Sequence, residues 1–246
     1  MSEPRVVVVT GGGSGIGRTV ARELLSRGHT VVVAGRRAEA LEETVASADS
    51  GSSRCVPTDV TDPSQVATLF ARVDEAYGRC DVLFNNAGAF GPSAPVDELS
   101  AADWDEVWRV NVSGPVFCAG AAVRLMRRTG GGRIINNASI SAHVPRPRSV
   151  AYTTTKHAIT GLTRSITLDG RADNITATRL DIGNAATAMT GGFAEALQPD
   201  GQRRPEPTFD PVHVARLVGD VSELPFEVAV PELMVMAAGM PFAGRG

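Results

Sequence analysis

The stretch RVVVVTGGGSGIG, residues 5–17, passes from a run of four valines into five glycines within seven positions. Successive β-branched residues favour a strand, and a strand that is apolar on both faces has to be covered on both faces. The glycines then permit a turn that side chains would obstruct. Their spacing reads T-G-x-x-x-G-x-G rather than the general G-x-G-x-x-G, with Gly11, Gly15 and Gly17 at the fixed positions and Ser14 and Ile16 between them. A helix opening at this point leaves amide donors without partners at its N-terminus, and such donors attract an anion. The pattern predicts a strand–loop–helix unit whose loop approaches a pyrophosphate. The plainer alternative is a strand-to-helix turn that binds nothing.

The same alternation continues downstream. TVVVAG at 30–35 reads as a second strand, flanked by helices expected at about Gly15–Arg27 and Ala38–Ala48. DVLFNNAG, a long helical segment at about Asp103–Arg128, GRIINNAS, a helix at about Val150–Asp169, ITATRLDIG and a final strand near VAVPELMVM follow in turn. This order predicts an α/β fold: a Rossmann-type doubly wound parallel sheet with helices on both faces, in a single domain over residues 1–246. One segment departs from it. TGGFAEALQPDGQRRPEPTFDP, at about 190–211, carries glycine and proline breakers throughout and reads as a flexible substrate loop, before Asp210 and Pro211 restart a helix.

A dinucleotide site also needs a group at the end of the second strand to read the adenosine ribose. That position holds Arg36 and Arg37, with no carboxylate for a free 2′-hydroxyl. A guanidinium suits a 2′-phosphate, which predicts NADP(H) over NAD(H), against the alternative of two solvated surface charges. The second chemical signal is YTTTK at 152–156. Tyr152 and Lys156 are four residues apart and so share one helix face. A free tyrosine titrates near 10, so a tyrosine acting as general acid/base near neutrality needs about 4 kcal/mol of phenolate stabilisation. A cation about 4 Å away supplies that only where the effective dielectric is low, about 20 rather than 80.

TGGGSGIG at 10–17, TDV at 58–60, NNAG at 85–88, Asn111 in RVNVSG, Ser139 in NNASIS and YTTTK at 152–156 together resemble the classical short-chain dehydrogenase/reductase family over nearly the whole chain. The resemblance implies a catalytic set of Asn111, Ser139, Tyr152 and Lys156. In it Ser139 polarises a carbonyl, Tyr152 transfers the proton, Lys156 supports the phenolate, and Asn111 positions a water that links Lys156 to solvent. It implies that Asp59 and Val60 flank the adenine, that Asn86, Ala87 and Gly88 line the cofactor, that Gly183, Ala185 and Thr187 meet the nicotinamide, and that Tyr152 and Lys156 also border the cofactor, with Lys156 held by the nicotinamide ribose hydroxyls. Ile182 stands where the family usually has proline. Phe90, His143, Val144 and Phe193 would line the substrate pocket. Structural alternatives stay open for single residues: Asn85 and Asn86 as strand braces, Asn111 as a helix kink or packing group, Ser139 as a strand-end cap.

A formal net charge of −3 offers no excess of basic groups for nucleic acid, and no apolar run approaches a membrane span. Cys55, Cys80 and Cys118 lack metal-ligand spacing, so no metal is expected. The opening residues MSEPRVVVVT contain no signal-peptide pattern, and a cytoplasmic location is expected. The expected partner is a small-molecule carbonyl or alcohol. The resemblance also implies a homotetramer or homodimer, formed through the segment containing Trp104, Trp108 and Phe117 and the helix near Val150. The expected function is an NADP(H)-dependent oxidoreductase, with a catalytically silent NADPH sensor as the alternative.

Overall fold

The valine run becomes β1, Val6–Thr10, and all five of its residues are buried. The computed structural model describes residues 3–46, 51–188, 191, 195–197, 201–240 and 242. Alternate side chains of β1 enter two separate cores. Val6 and Val8 join the cluster that contains Leu69, Phe70, Ala122 and Met126, whereas Val7 and Val9 join the one that contains Val20, Leu24, Val214 and Val218. The first set of partners lies on α3 (Pro63–Tyr77) and α5 (Gly114–Arg128), the second on α1 (Gly15–Ser26) and α7 (Val212–Glu223). A strand apolar on both faces therefore sits between two helical layers, as period-2 geometry requires.

The other strands are β2 (Thr30–Gly35), β3 (Ser52–Pro57), β4 (Val82–Asn85), β5 (Gly132–Asn137), β6 (Ile175–Ile182), β7 (Ala196–Leu197), β8 (Arg203–Arg204) and β9 (Glu232–Val235). The remaining helices are α2 (Ala38–Val45), α4 (Ala101–Trp108) and α6 (Val150–Gly170). Seven strands form one sheet in the order β3-β2-β1-β4-β5-β6-β9, and each pairing is parallel. β7 and β8 make a separate antiparallel ribbon. The chain runs outward from β1 to β3 and then returns to β4 on the other side. That reversal opens a crevice beyond the carboxyl ends of β1 and β4, where doubly wound sheets bind ligands.

β3, α3 and the short β7–β8 ribbon within the expected loop escape the sequence reading. β3 is an edge strand with five of six residues exposed or half-exposed, so it shows no apolar run. α3 carries clear stop and start signals nonetheless: Asp62 accepts from Ser64 N at 2.8 Å, Pro63 takes the first turn, and Gly78 closes the helix with φ 66°. The expected helix at 103–128 divides into α4, a π-helical turn at Arg109–Ser113, and α5. Residues 47–48 of the expected second helix, and residues 190, 192–194 and 198–200 of the expected loop, lie outside the described residues. Among the described residues no helix is long and apolar enough to cross a membrane.

Candidate active site

The glycine loop is set by backbone conformation and crowding. Gly11 and Gly15 have φ of 65° and 49°, a region that side chains disfavour. A Cβ on Gly17 would lie 2.3 Å from Gly11 O and 2.5 Å from Asn86 Nδ2, so Gly17 serves the packing of α1 against the loop. Asn86 fastens that loop to the next strands: its Nδ2 donates to Thr10 O at 3.0 Å, and its Oδ1 accepts from Asn137 Nδ2 at 2.9 Å. Asn85 Nδ2 donates to Pro115 O and Asn136 Oδ1, and Asn136 Nδ2 reaches Thr163 Oγ1. The paired asparagines brace strand ends through their amides, while Asn86 also faces the cleft.

Two hollows meet along this edge of the sheet. One is lined by Gly11, Ser14, Gly15, Ile16, Asn86, Ala87, Gly88 and Phe90 on one side and Ser139, Tyr152, Lys156, Gly183, Ala185 and Thr187 on the other. The second shares Gly11, Ser14, Ala87 and Gly88 and continues to Arg36, Arg37, Asp59 and Val60. Together they make one elongated groove over the crevice. Arg36 and Arg37 are exposed at its far end, and neither guanidinium has a hydrogen-bond or ion-pair partner among the described residues. The Asp59 carboxylate is engaged locally, accepting from Thr61 N and Thr61 Oγ1 at 2.9 Å each. Glycines that cannot carry a Cβ and the amides at the start of α1 fit the pyrophosphate of a nicotinamide dinucleotide.

At the other end, α6 places Tyr152 and Lys156 on one face. The Tyr152 ring packs on Phe90, with centroids 4.5 Å apart and planes tilted by 57°. Lys156 Nζ lies 5.5 Å from the Tyr152 ring centroid and donates to Asn137 O at 2.8 Å. Burial lowers the Lys156 pKa to about 8, against a smaller opposing pull from Asp181. Ser139 caps the 3₁₀ turn Ile140–Ala142, and its Oγ accepts from Ser141 N at 3.1 Å. Its hydroxyl proton is left to donate elsewhere.

Asn111 sits within the π-helical turn, where an extra residue per turn re-aims side chains. Its Oδ1 accepts from Ala89 N and its Nδ2 donates to Ala89 O, both at 2.8 Å, and to Thr155 Oγ1 at 3.1 Å. Asn111 is buried and does not line the cleft. It ties the loop after β4 to the residue preceding Lys156. A Cβ on Gly88 would come 3.3 Å from Asn111 Oδ1 and 3.9 Å from Lys156 Nζ, so these two groups converge behind the same glycine.

The turn after β6 lacks the family's proline and is held by other means. Gly183 N donates to Val235 O at 2.8 Å, and a Cβ at Gly183 would meet Met236 Cβ at 2.6 Å. Ala186 N and Phe209 N bond Phe209 O and Asn184 O at 2.8 and 3.1 Å, which anchors the return of the chain toward α7.

The substrate-side expectations divide. Phe90 lines the cleft; His143 and Val144 do not. The His143 imidazole is drawn off by charge: its Nε2 lies 2.8 Å from Asp181 Oδ2 and 3.0 Å from Arg179 Nη2, and Arg179 Nε itself holds Asp181 at 2.9 and 3.1 Å. Phe193 lies outside the described residues. Arg146 and Asn184 line the cleft instead. No motif flags them, because Arg146 reads as one of two arginines in PRPRS and the glutamate that pairs with it is sixty residues away.

Lys156 also provides a test of burial. Its folded pKa of about 8 is below the ordinary lysine value. The unfolded chain therefore binds more protons between about 8 and 10.5, and stability rises with pH over that window. Below it the fold carries the full cost of a buried ammonium. Lys156→Met in the cofactor-free protein is expected to melt a few degrees above wild type at pH 7, with the gap closing toward pH 10.5. Parallel melting curves at all pH values would show that the ammonium is not desolvated.

The comparisons agree with this geometry. Residues 5–198 match the short chain dehydrogenase family. The chain is 36% identical to a 3beta-hydroxysteroid dehydrogenase of Mediterraneibacter gnavus over 190 residues, 76% of this chain and 68% of that protein. It is 37% identical to the cis-4-hydroxycyclohexanecarboxylate dehydrogenase of Sinomonas cyclohexanicum over 212 residues, 82% and 85% of the two. Among solved structures, an alcohol dehydrogenase from Thermococcus sibiricus complexed with 5-hydroxy-NADP superposes with a TM-score of 0.81 at 26% identity, covering 95% of this chain and 96% of that one. With the Gly11–Gly17 loop, the doubly wound sheet and the Ser139–Tyr152–Lys156 wall in place, this chain belongs to the short-chain dehydrogenase/reductase family of oxidoreductases.

Proposed function

We propose that the protein is an NADP(H)-dependent oxidoreductase acting on the carbonyl or secondary alcohol of an alicyclic ring. The observation that carries the reading is the convergence of Ser139, Tyr152 and Lys156 on one cleft whose far end holds Arg36 and Arg37. Residues of the Gly11–Gly17 loop, Arg36, Arg37, Asp59, Val60, Ala87, Gly88, Gly183, Ala185 and Thr187 would hold the dinucleotide, which when bound supplies or accepts the hydride. Ser139 donates its hydroxyl proton as a hydrogen bond to the carbonyl oxygen, and Tyr152 gives its phenolic proton to the same oxygen as negative charge develops. Lys156, fixed by Asn137 O, stabilises the resulting phenolate, and Asn111 holds the loop and helix that frame the pair.

The ring class has two supports. Both relatives named above act on a ring-borne hydroxyl, and Phe90, Ile140 and Ile182 give the cleft an apolar flank. The protein acts in the cytoplasm as a homodimer or homotetramer, for which exposed Leu168 on α6 and Val116 on α5 provide apolar contact. The test is NADPH oxidation with cyclohexanone, 4-methylcyclohexanone and a 3-oxosteroid set beside acyclic ketones and aldehydes. Ring ketones are expected to be reduced with the higher kcat/KM. Tight NADPH binding with no turnover on any carbonyl would reject the reading.

A further inference from the structure

The cleft that holds Ser139 and Tyr152 also contains a buried charge cluster that the chemistry above does not use. Arg146, on the loop before α6, donates through Nη1 to Glu206 Oε1 at 2.8 Å and through Nη2 to Glu206 Oε2 at 2.7 Å and Asn184 Oδ1 at 2.5 Å. Asn184 Nδ2 closes the ring by donating to Glu206 Oε2 at 2.7 Å and also to Pro207 O at 3.2 Å. The side chains of Arg146 and Glu206 are 15% and 5% exposed, and Asn184 is buried. Arg146 and Asn184 line the cleft, whereas Glu206 stands behind them and does not.

This placement decides what the wall offers a ligand. A guanidinium at the edge of a partly desolvated cleft is the group best suited to capture a carboxylate, through two parallel hydrogen bonds. Glu206 already occupies that bidentate face from the rear and cancels the charge. A carboxylate entering from the cleft therefore meets a satisfied cation with an anion directly behind it. An uncharged substrate pays no such electrostatic penalty and finds a wall fixed by four mutually supporting hydrogen bonds, joining the loop after Ser139, the turn after β6 and the approach to α7.

We propose that the Arg146–Glu206 pair is a specificity determinant, with Glu206 as the residue that neutralises Arg146 so that the site accepts uncharged carbonyl compounds and rejects carboxylates. The proposal rests on the oxidoreductase reading for the identity of the cleft, but its test is independent of turnover. Cyclohexanecarboxylate, which has no ketone to reduce, is titrated into the NADPH complexes of wild type, Glu206→Gln, Arg146→Met and the double variant, with cofactor fluorescence as the signal.

Glu206→Gln keeps the shape of the side chain and removes the negative charge that faces the guanidinium, so it is expected to bind the carboxylate about tenfold tighter than wild type. Arg146→Met removes the cleft-side cation and keeps the Glu206 carboxylate, so it should bind more weakly than wild type, and the double variant should lose the gain. A merely structural role would move all variants in one direction. Equal or undetectable carboxylate binding in wild type and Glu206→Gln, or the same change in both single variants, overturns the proposal. Failure of every variant and of wild type to reduce cyclohexanone would count against the oxidoreductase reading, while the carboxylate titration would still decide this one.

Discussion

Tyr152→Phe is expected to lower kcat for ring-ketone reduction by about 10²–10⁴-fold, the range over which a positioned general acid contributes. The substitution removes one oxygen and keeps the ring, whose packing on Phe90 at 4.5 Å should hold α6 in place. The groove for the dinucleotide is lined mostly by residues of other elements, so the NADPH dissociation constant should change by less than about threefold. The effect should therefore appear in kcat at saturating cofactor. Single-turnover kinetics beside a fluorescence titration of NADPH would separate the two. A variant that turns over at near wild-type rate would remove Tyr152 from the chemistry and transfer the proton donor to another group. Loss of NADPH binding in parallel would instead show that the phenol orders the groove.

The expected size follows from where the tyrosine sits. Lys156 is buried and lacks a carboxylate partner within hydrogen-bond reach among the described residues; its Nζ bonds the neutral Asn137 carbonyl. A positive charge in that state, with its pKa already lowered to about 8, gains from a neighbouring phenolate more than a solvated lysine would.

How much of this was legible in the sequence depends on whether the signal was local. The valine run and the T-G-x-x-x-G-x-G spacing specify β1, its loop and α1 because each depends on neighbouring residues alone. The i, i+4 spacing of Tyr152 and Lys156 likewise survives as one face of α6. β3 was invisible because an edge strand, SSRCVP, needs no apolar alternation when most of its side chains meet solvent. α3 is legible in principle, since Asp62, Pro63 and Gly78 mark both ends.

Side-chain direction was the part that sequence could not give. His143 follows Ser139 closely enough to suggest the pocket, yet the buried Asp181 and Arg179 on β6 draw its ring away. Arg146 enters the cleft for the complementary reason: its partner, Glu206, arrives from a segment distant in sequence. Asn111 carries a motif, but its working partners, Ala89 and Thr155, depend on the π-helical turn whose extra residue re-aims the side chain between α4 and α5. Charge pairing across the fold and local helix irregularity both lie beyond periodicity.

Arg36→Asp should produce the largest change in cofactor choice, weakening NADPH by about 100-fold and leaving NADH within a few-fold of wild type. Arg36 and Arg37 stand exposed where β2 ends, without partners among the described residues, so their charge is not already committed within the fold. A 2′-phosphate placed near them gains about 1 kcal/mol per charge pair in full solvent and several at an effective dielectric near 20. Converting Arg36 to a carboxylate removes one attraction and adds one repulsion, a change of about 2–3 kcal/mol, which corresponds to roughly 30- to 150-fold in affinity. The new carboxylate would also supply the acceptor that a free ribose 2′-hydroxyl lacks at this strand end. Because both arginines are exposed, salt should screen the preference: wild-type affinity for NADPH is expected to fall between 50 and 500 mM salt more steeply than affinity for NADH. Titration of both cofactors against wild type and variant over that range checks charge and position together. An unchanged NADPH/NADH ratio in Arg36→Asp, with no difference in salt slope, would return the two arginines to the status of solvated surface charges and leave the adenosine end to be read by Asp59 and Val60.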